Sequence, residues 1–323
     1  MNTEAIIPFD DKPLWRRSRI NLVHVGLLVL ILALIGLGAV YTDRFASTSN
    51  MLNVARAAVV PLLIGIGQTV VVLTSAIDLS IGSVISLSGV LTAVLAEQDA
   101  TRLWWVIPTV MVICMSVGLI NGLIVTQLKV HPIICTLGTS AIVQGCALLI
   151  APVPKLGPYQ LENLAFEDTL GIPNGTLLAL ALFAVTLLAL RKFPIGARIY
   201  AVGGDEHAAR IMGINTTFVV CIAFVFSAGC AGFAGIYMVG LLGSGSPIMG
   251  QGYELTSIAP VVLGGTLLAG GSGGVGGTLL AVFFMALLNS LLNFLQVSTF
   301  YQWVIQGVII LVAVSTFSHR KRA

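Results

Sequence analysis

Charge is scarce in this sequence. Asp, Glu, Lys and Arg make up 9% of its 323 residues, too little to cover a water-soluble body of that length. The usual signatures of chemistry are missing too. Five cysteines (Cys114, Cys135, Cys146, Cys221 and Cys230) all sit in apolar runs, none in a Cys-x-x-Cys spacing. That argues against a metal centre or a disulfide framework and for small packing residues. His24, His131, His207 and His319 are scattered, and no H-E-x-x-H, G-x-S-x-G or G-x-x-x-x-G-K-[ST] occurs. No catalytic residue, metal ligand or phosphate cradle is therefore expected, and the chain does not read as an enzyme. Buried acids, Lys and His are too few for the relay that a proton- or sodium-coupled carrier usually carries.

What the chain has instead is apolar residues, 57% of the total, together with 35 glycines. Long apolar runs recur throughout, and a spanning helix needs roughly 20 such residues. The expected architecture is an all-α integral membrane protein with ten spans, near 21–41, 57–75, 80–96, 104–126, 133–151, 176–190, 217–241, 256–268, 276–295 and 302–318. Basic residues orient it. With the N-terminus in the cytoplasm, Lys12, Arg16, Arg17, Arg19, Lys129, Arg191, Lys192, Arg198, Arg210, Arg320, Lys321 and Arg322 all lie inside. Only Arg44, Arg56, Arg102 and Lys155 lie outside. The organisation is then a cytoplasmic segment 1–20, a transmembrane body 21–318 and a cytoplasmic tail 319–323. The longest inner loop is 191–216 and the longest outer loop 152–175.

An internal repeat is visible. "AIDLSIGSVISLSGVL" (76–91) aligns with "GYELTSIAPVVLGGTL" (252–267), matching Asp78 with Glu254 and Ser80 with Thr256. Spans 2–5 and 7–10 would form two inverted units, a common basis of alternating access. Asp78 and Glu254 either cap the helices that follow or line a polar pathway. Asn121, Asn289, Asn293, Gln68 and Gln144 lie within spans. They either tie helices together or offer hydrogen bonds to a hydroxylated solute. "GGSGGVGG" (270–277) contains a formal G-x-G-x-x-G, but its flanks are apolar spans and no acidic residue follows it. It reads as a flexible turn rather than a dinucleotide site. "AGCAGFAG" (228–235) offers a small-residue packing face.

The segment "GGDEHAARIMGI" (203–214) stands apart. Gly203 and Gly204 break the preceding run, Asp205 and Glu206 suit a helix N-terminus, and Gly213 closes the helix. Ala208 and Ala209 leave a flat face, with Met212 and Ile214 as apolar anchors. A flat face with charged edges suits docking into another protein.

These residues, with "GYELTSIAPVVLGGTLLAGG", "AIDLSIGSVISLSGV" and "STFYQWVIQGVIILVAV", resemble the membrane permeases of ribose-type ATP-binding-cassette importers over about residues 50–317. The chain departs from the usual pattern at Ala76, Asp205 and Pro260. The resemblance implies that Gly203, Gly204, Asp205, Glu206, Ala209, Arg210 and Gly213 form the coupling helix gripped by a cytoplasmic ATPase. It also implies a periplasmic solute-binding protein, and a second copy or sibling permease to complete a dimer in the lipid of the bacterial inner membrane. The cargo would be a monosaccharide such as a pentose or hexose, with Asp78, Asn121, Glu254, Asn289 and Asn293 as candidates along its path. No cofactor and no nucleic acid is implied. The alternative is an ion-coupled secondary transporter of a small polar solute.

Overall fold

A computed structural model describes residues 19–319. Lys12, Arg16, Arg17, Arg320, Lys321 and Arg322 lie outside them, as do nearly all of segment 1–20 and most of tail 319–323. The order of elements is α1 (Arg19–Tyr41), α2 (Thr48–Leu73), α3 (Ile81–Ala96), α4 (Leu103–Gln127), α5 (Pro132–Ile150), β1 (Lys155–Leu156), α6 (Glu162–Phe166), β2 (Asp168–Thr169), β3 (Ile172–Pro173), α7 (Asn174–Lys192), α8 (Pro194–Gly204), α9 (Glu206–Ile211), α10 (Thr216–Leu242), β4 (Ser244–Gly245), α11 (Tyr253–Thr256), α12 (Ile258–Leu263), α13 (Val275–Phe294) and α14 (Thr299–His319). We refer to the end that carries Lys129, Arg191, Lys192, Arg198 and Arg210 as the basic end.

Two helices form the axis of the bundle, α2 and α10. Ser47 caps α2 through Asn50 N–H and Asn215 caps α10 through Phe218 N–H. Gly243, left-handed at φ 67°, ends α10. Both axial helices are buried over most of their length. In lipid no hydrophobic effect pulls helices together, so close approach of backbones must do it. The small-residue face of α10 meets this need inside the subunit. Gly229 and Gly232 receive Met115 and Cys114 of α4, and Gly232 carbonyl accepts from Ser88 Oγ of α3 at 2.6 Å. On α4, Gly118 and Gly122 lie against the α10 backbone at Phe224 and Cys221. The outer helices turn apolar side chains outward, among them Leu32, Val112, Ile142, Leu149 and Val185.

Among the described residues, seven helices are long and apolar enough to cross a membrane: α1, α2, α4, α5, α7, α10 and α13. The expected count of ten is not reproduced. The runs near 80–96 and 256–268 fall on the shorter helices Ile81–Ala96 and Tyr253–Leu263. Sixteen residues of helix reach roughly 24 Å, short of a hydrocarbon core of about 30 Å. Run 302–318 falls on α14.

Each short helix is entered by non-helical chain. Residues 76–80 lead into α3, and residues 244–250 run along α3 from Ala93 down to Gly82 before α11 begins. Side chains bond two backbone groups of the second segment. Gln144 Nε2 donates to Pro247 carbonyl at 2.6 Å, and Gly250 N–H donates to Ser86 Oγ at 3.0 Å. Pairing of β4 with β1 ties its entrance to the loop that follows α5.

The crossing at Gly82 leaves no room for a side chain. A Cβ there would lie 2.6 Å from Gly250 carbonyl oxygen and 2.8 Å from Glu254 Cδ. Gly82→Ala should therefore cost about 1–3 kcal/mol as overpacking, read as a lower unfolding temperature in detergent. Gly138→Ala on α5, where no atom lies within 4 Å, should leave that temperature unchanged.

Candidate functional site

At the end of the bundle opposite the basic end, α2, α11, α12, α13 and α14 enclose an open cavity of about 740 Å³. Its polar lining is almost wholly amide and hydroxyl: Asn50, Asn53, Gln251, Thr256, Asn289, Ser290, Asn293 and Gln306. Tyr253, Phe294 and Trp303 contribute aromatic faces. Among the described residues, no Asp, Glu, Lys, Arg or His lines it. Its lower wall narrows where Gly65 of α2 meets Thr278 of α13 and Pro260 of α12. Just beneath, Thr69 and Thr278 share a hydrogen bond of 2.7 Å between hydroxyls.

Helical spacing builds the polar wall. Asn289 and Asn293 stand four residues apart on α13, and Gln302 and Gln306 four apart on α14. Such pairs share a helix face. The antiparallel helices zip these faces together, with Gln306 Nε2 donating to Asn289 Oδ1 at 3.0 Å and Gln302 Nε2 to Asn293 Oδ1 at 2.8 Å. Ser290 Oγ donates to Asn50 Oδ1 at 3.0 Å, joining α13 to α2. Asn53, also on the wall, accepts from Arg56 Nη1 at 3.2 Å, and Arg56 is ion-paired with Asp168 of the long loop at 2.9 Å. The nearest cation is thus neutralised outside the cavity.

The five expected pathway residues do not come together. Asn289 and Asn293 line the cavity. Glu254 sits in α11 between two lining residues, with its carboxylate beside Gly82 and its Oε2 buried without a partner among the described residues. Asp78 and Asn121 belong to a separate, fully buried knot. There Asp78 Oδ1 accepts from Ser80 N–H and Ser80 Oγ at 2.9 and 2.6 Å, and Oδ2 from Ser227 Oγ at 2.9 Å. Asn121 Nδ2 donates to Ser80 Oγ at 3.0 Å. Thr136 Oγ1 accepts from Leu79 N–H at 3.1 Å. The Asp78 carboxylate thereby fastens residues 76–80 to α10; it does not reach the first turn of α3 as a conventional cap would. Gln144 ties α5 to 244–250, whereas Gln68 lies fully buried in α2 with neither amide atom partnered among the described residues.

Sequence reasoning passed over Asn50, Asn53, Gln302 and Gln306. The repeated four-residue amide spacing on two helices joined by a short turn was the signal that could have found Gln302 and Gln306; Asn50 and Asn53, on α2, carry no such signal.

At the basic end, the expected coupling residues fall on two short helices. Gly203 and Gly204 form the last turn of α8, and Asp205 caps α9 by accepting from Ala208 N–H at 2.9 Å. Glu206 and Arg210 pair at 2.7 Å, and both reach Thr216 Oγ1 at 3.1 Å, fixing α9 to the start of α10. Ala209 is buried, and Gly213 turns the chain at φ 80°. Ile214 packs on the core as an anchor, but Met212 does not; it is exposed with Ile211, a small apolar step beside the ion pair. Burial pushes the Tyr200 phenol of α8 above its ordinary value, against the pull of Arg191. Its proton is held for Gly273 carbonyl, at 2.9 Å.

Residues 50–314 match the family described as "Branched-chain amino acid transport system / permease component". The ribose import permease protein of Haemophilus influenzae is 35% identical over 91% of this chain and 92% of its own length. The D-allose transport system permease protein of Escherichia coli is 31% identical over 90% of this chain and 89% of its own. The L-arabinose transport system permease protein of the same organism is 31% identical over 92% and 91%. No solved structure matches this chain.

The Asp78 knot makes a stability prediction. Asp78→Ala strands three donors in a buried place, each costing about 1–3 kcal/mol, and should abolish recovery of folded protein from the membrane. Asp78→Asn keeps an acceptor for Ser80 and should unfold within a few degrees of the unaltered chain when followed by differential scanning fluorimetry.

Proposed function

We propose, from the premise that this chain belongs to the family of branched-chain amino acid transport system / permease components, that it is the permease subunit of an importer for a monosaccharide, resident in the inner membrane. Its relatives include permeases named for ribose, allose and arabinose. The observation that carries the cargo class is the uncharged, amide-lined cavity. An amino acid would bring a carboxylate and an ammonium, and desolvating either without a counter-charge is costly. A sugar brings hydroxyls, which donate and accept as side-chain amides do. Trp303 and Tyr253 supply flat faces for the C–H side of a sugar ring.

In this reading the cavity is the outer half of the path, and a second permease subunit closes its open side. Asn289 and Asn293 meet the solute, while Asp78 and Asn121 hold the path's shape and Glu254 borders it. Ten crossings are kept by counting α3 and α11–α12 as broken ones, each completed by its non-helical segment, with α14 as the last. Both termini are then cytoplasmic, and spans 2–5 and 7–10 form the inverted units. Discontinuous helices at corresponding places in two repeats are the usual address of a transport site. Residues 203–213 are the handle for a cytoplasmic ATPase, and loop 152–175 faces the side where a solute-binding protein docks.

Three measurements test this. In proteoliposomes holding the chain with its co-purifying ATPase and binding protein, uptake should require ATP and survive an uncoupler. Uptake that ignores ATP and collapses with the uncoupler would make it an ion-coupled carrier. Replacing Asn289 and Asn293 together by Ala should lower uptake about tenfold, the worth of one or two hydrogen bonds, with the assembly intact. Glu206→Ala with Arg210→Ala should reduce the ATPase retained on co-purification while membrane insertion is unchanged.

A further inference from the structure

The walls of the cavity share a base. α2 ends at Leu73, α12 at Leu263, and α13 begins at Val275 after a glycine-rich turn. The end of α2 and that turn meet the last turn of α8 at a single junction. Gly271 N–H donates to Leu73 carbonyl at 3.1 Å. Ser75 Oγ lies 2.9 Å from Gly203 carbonyl oxygen and 2.7 Å from Ala269 carbonyl oxygen. Tyr200 adds its bond to Gly273. The backbones touch without intervening side chains. A Cβ on Gly203 would lie 2.7 Å from Gly271 N, and one on Gly271 2.8 Å from Gly204 Cα. Two glycines of "GGSGGVGG" thus have a structural reason: a side chain at Gly270 or Gly271 would hold α8 away from the base of the cavity.

Among the described residues, Ser75 is the one hydroxyl bonded to both sides of this contact. It is a non-glycine residue at φ 65°, a costly conformation for an L-residue. Its hydroxyl carries a single proton, yet two carbonyls lie within bonding distance. It can serve either one.

We infer that Ser75 is the positioning residue through which movement of α8 and α9 enters the membrane body. Its proton passes between Gly203 carbonyl and Ala269 carbonyl, so α8 is gripped in one arrangement and released in another. The hydroxyl is never left unpaired in either. Displacement of the knuckle by a docked ATPase then shifts the base of α2 and the turn before α13. Those are the helices that carry Asn50, Asn53, Asn289 and Asn293 at their other ends. This rests on the permease reading above.

The test uses the whole complex in proteoliposomes with radiolabelled D-ribose as probe, comparing sugar moved per ATP hydrolysed. Ser75→Ala and Ser75→Gly should both retain the ATPase on co-purification and keep basal hydrolysis near that of the unaltered complex. The transport ratio should fall about tenfold in each. Glycine favours positive φ, so the Gly variant keeps the local fold, and its loss reports the missing hydroxyl alone. An unaltered ratio in Ser75→Gly overturns the inference and leaves the permease reading standing. Absence of ATP-driven ribose uptake by the unaltered complex overturns both.

Discussion

In hydrocarbon a peptide group has no water to fall back on, and every buried N–H and C=O must find a partner inside the protein. This constraint shapes the molecule wherever it departs from plain helix. Residues 76–80 and 244–250 are non-helical and packed into the bundle, and side chains serve some of the peptide groups of each: Asp78 and Thr136 for the first, Gln144 and Ser86 for the second. The amides of α2, α13 and α14 converge on one cavity. Asn289 and Asn293 accept there through their oxygens, and an amide with one atom engaged still has its other atom to offer a visitor.

The same economy explains the small residues. Glycines on α4 and α10 bring two backbones together in the static part of the bundle. Glycines at 203–204 and 270–274 do so at the basic end, where α8 rests on the base of α2. The first set locks interdigitated side chains over several turns. The second is joined by a few hydrogen bonds at a loop, which is where relative movement is cheapest. A stiff scaffold and a pliant junction thus arise from one residue type in two settings.

Much of this was legible in the sequence. The apolar runs marked the long helices, because burial in lipid is read by side-chain hydropathy. The knuckle at 203–213 was visible because Asp205, Glu206, Arg210 and Gly213 carry local capping and turn signals that need no tertiary context. The count of spans was not legible. Hydropathy reports side chains, and "AIDLS" is as apolar whether extended or helical; only Gly82 packing on Gly250 decides the matter. Asp78 and Glu254 align in the repeat, yet the structure gives one three hydrogen-bond donors and leaves an oxygen of the other unpartnered. Two of those donors belong to Ser80, whose aligned Thr256 turns back to Gly252 carbonyl, and the third to Ser227, 149 positions from Asp78. Gln302 and Gln306 were hidden inside an apolar run, since their meaning lies in the facing pair on α13.

The absence of fixed charge on the cavity wall also has an electrical meaning. A membrane voltage does work only on charge that moves through it, about 2.3 kcal/mol per elementary charge per 100 mV. Amides and hydroxyls that tilt or part carry almost none, so the resting potential neither assists nor resists them. Such a wall runs at the same cost in an energised cell and a depolarised one.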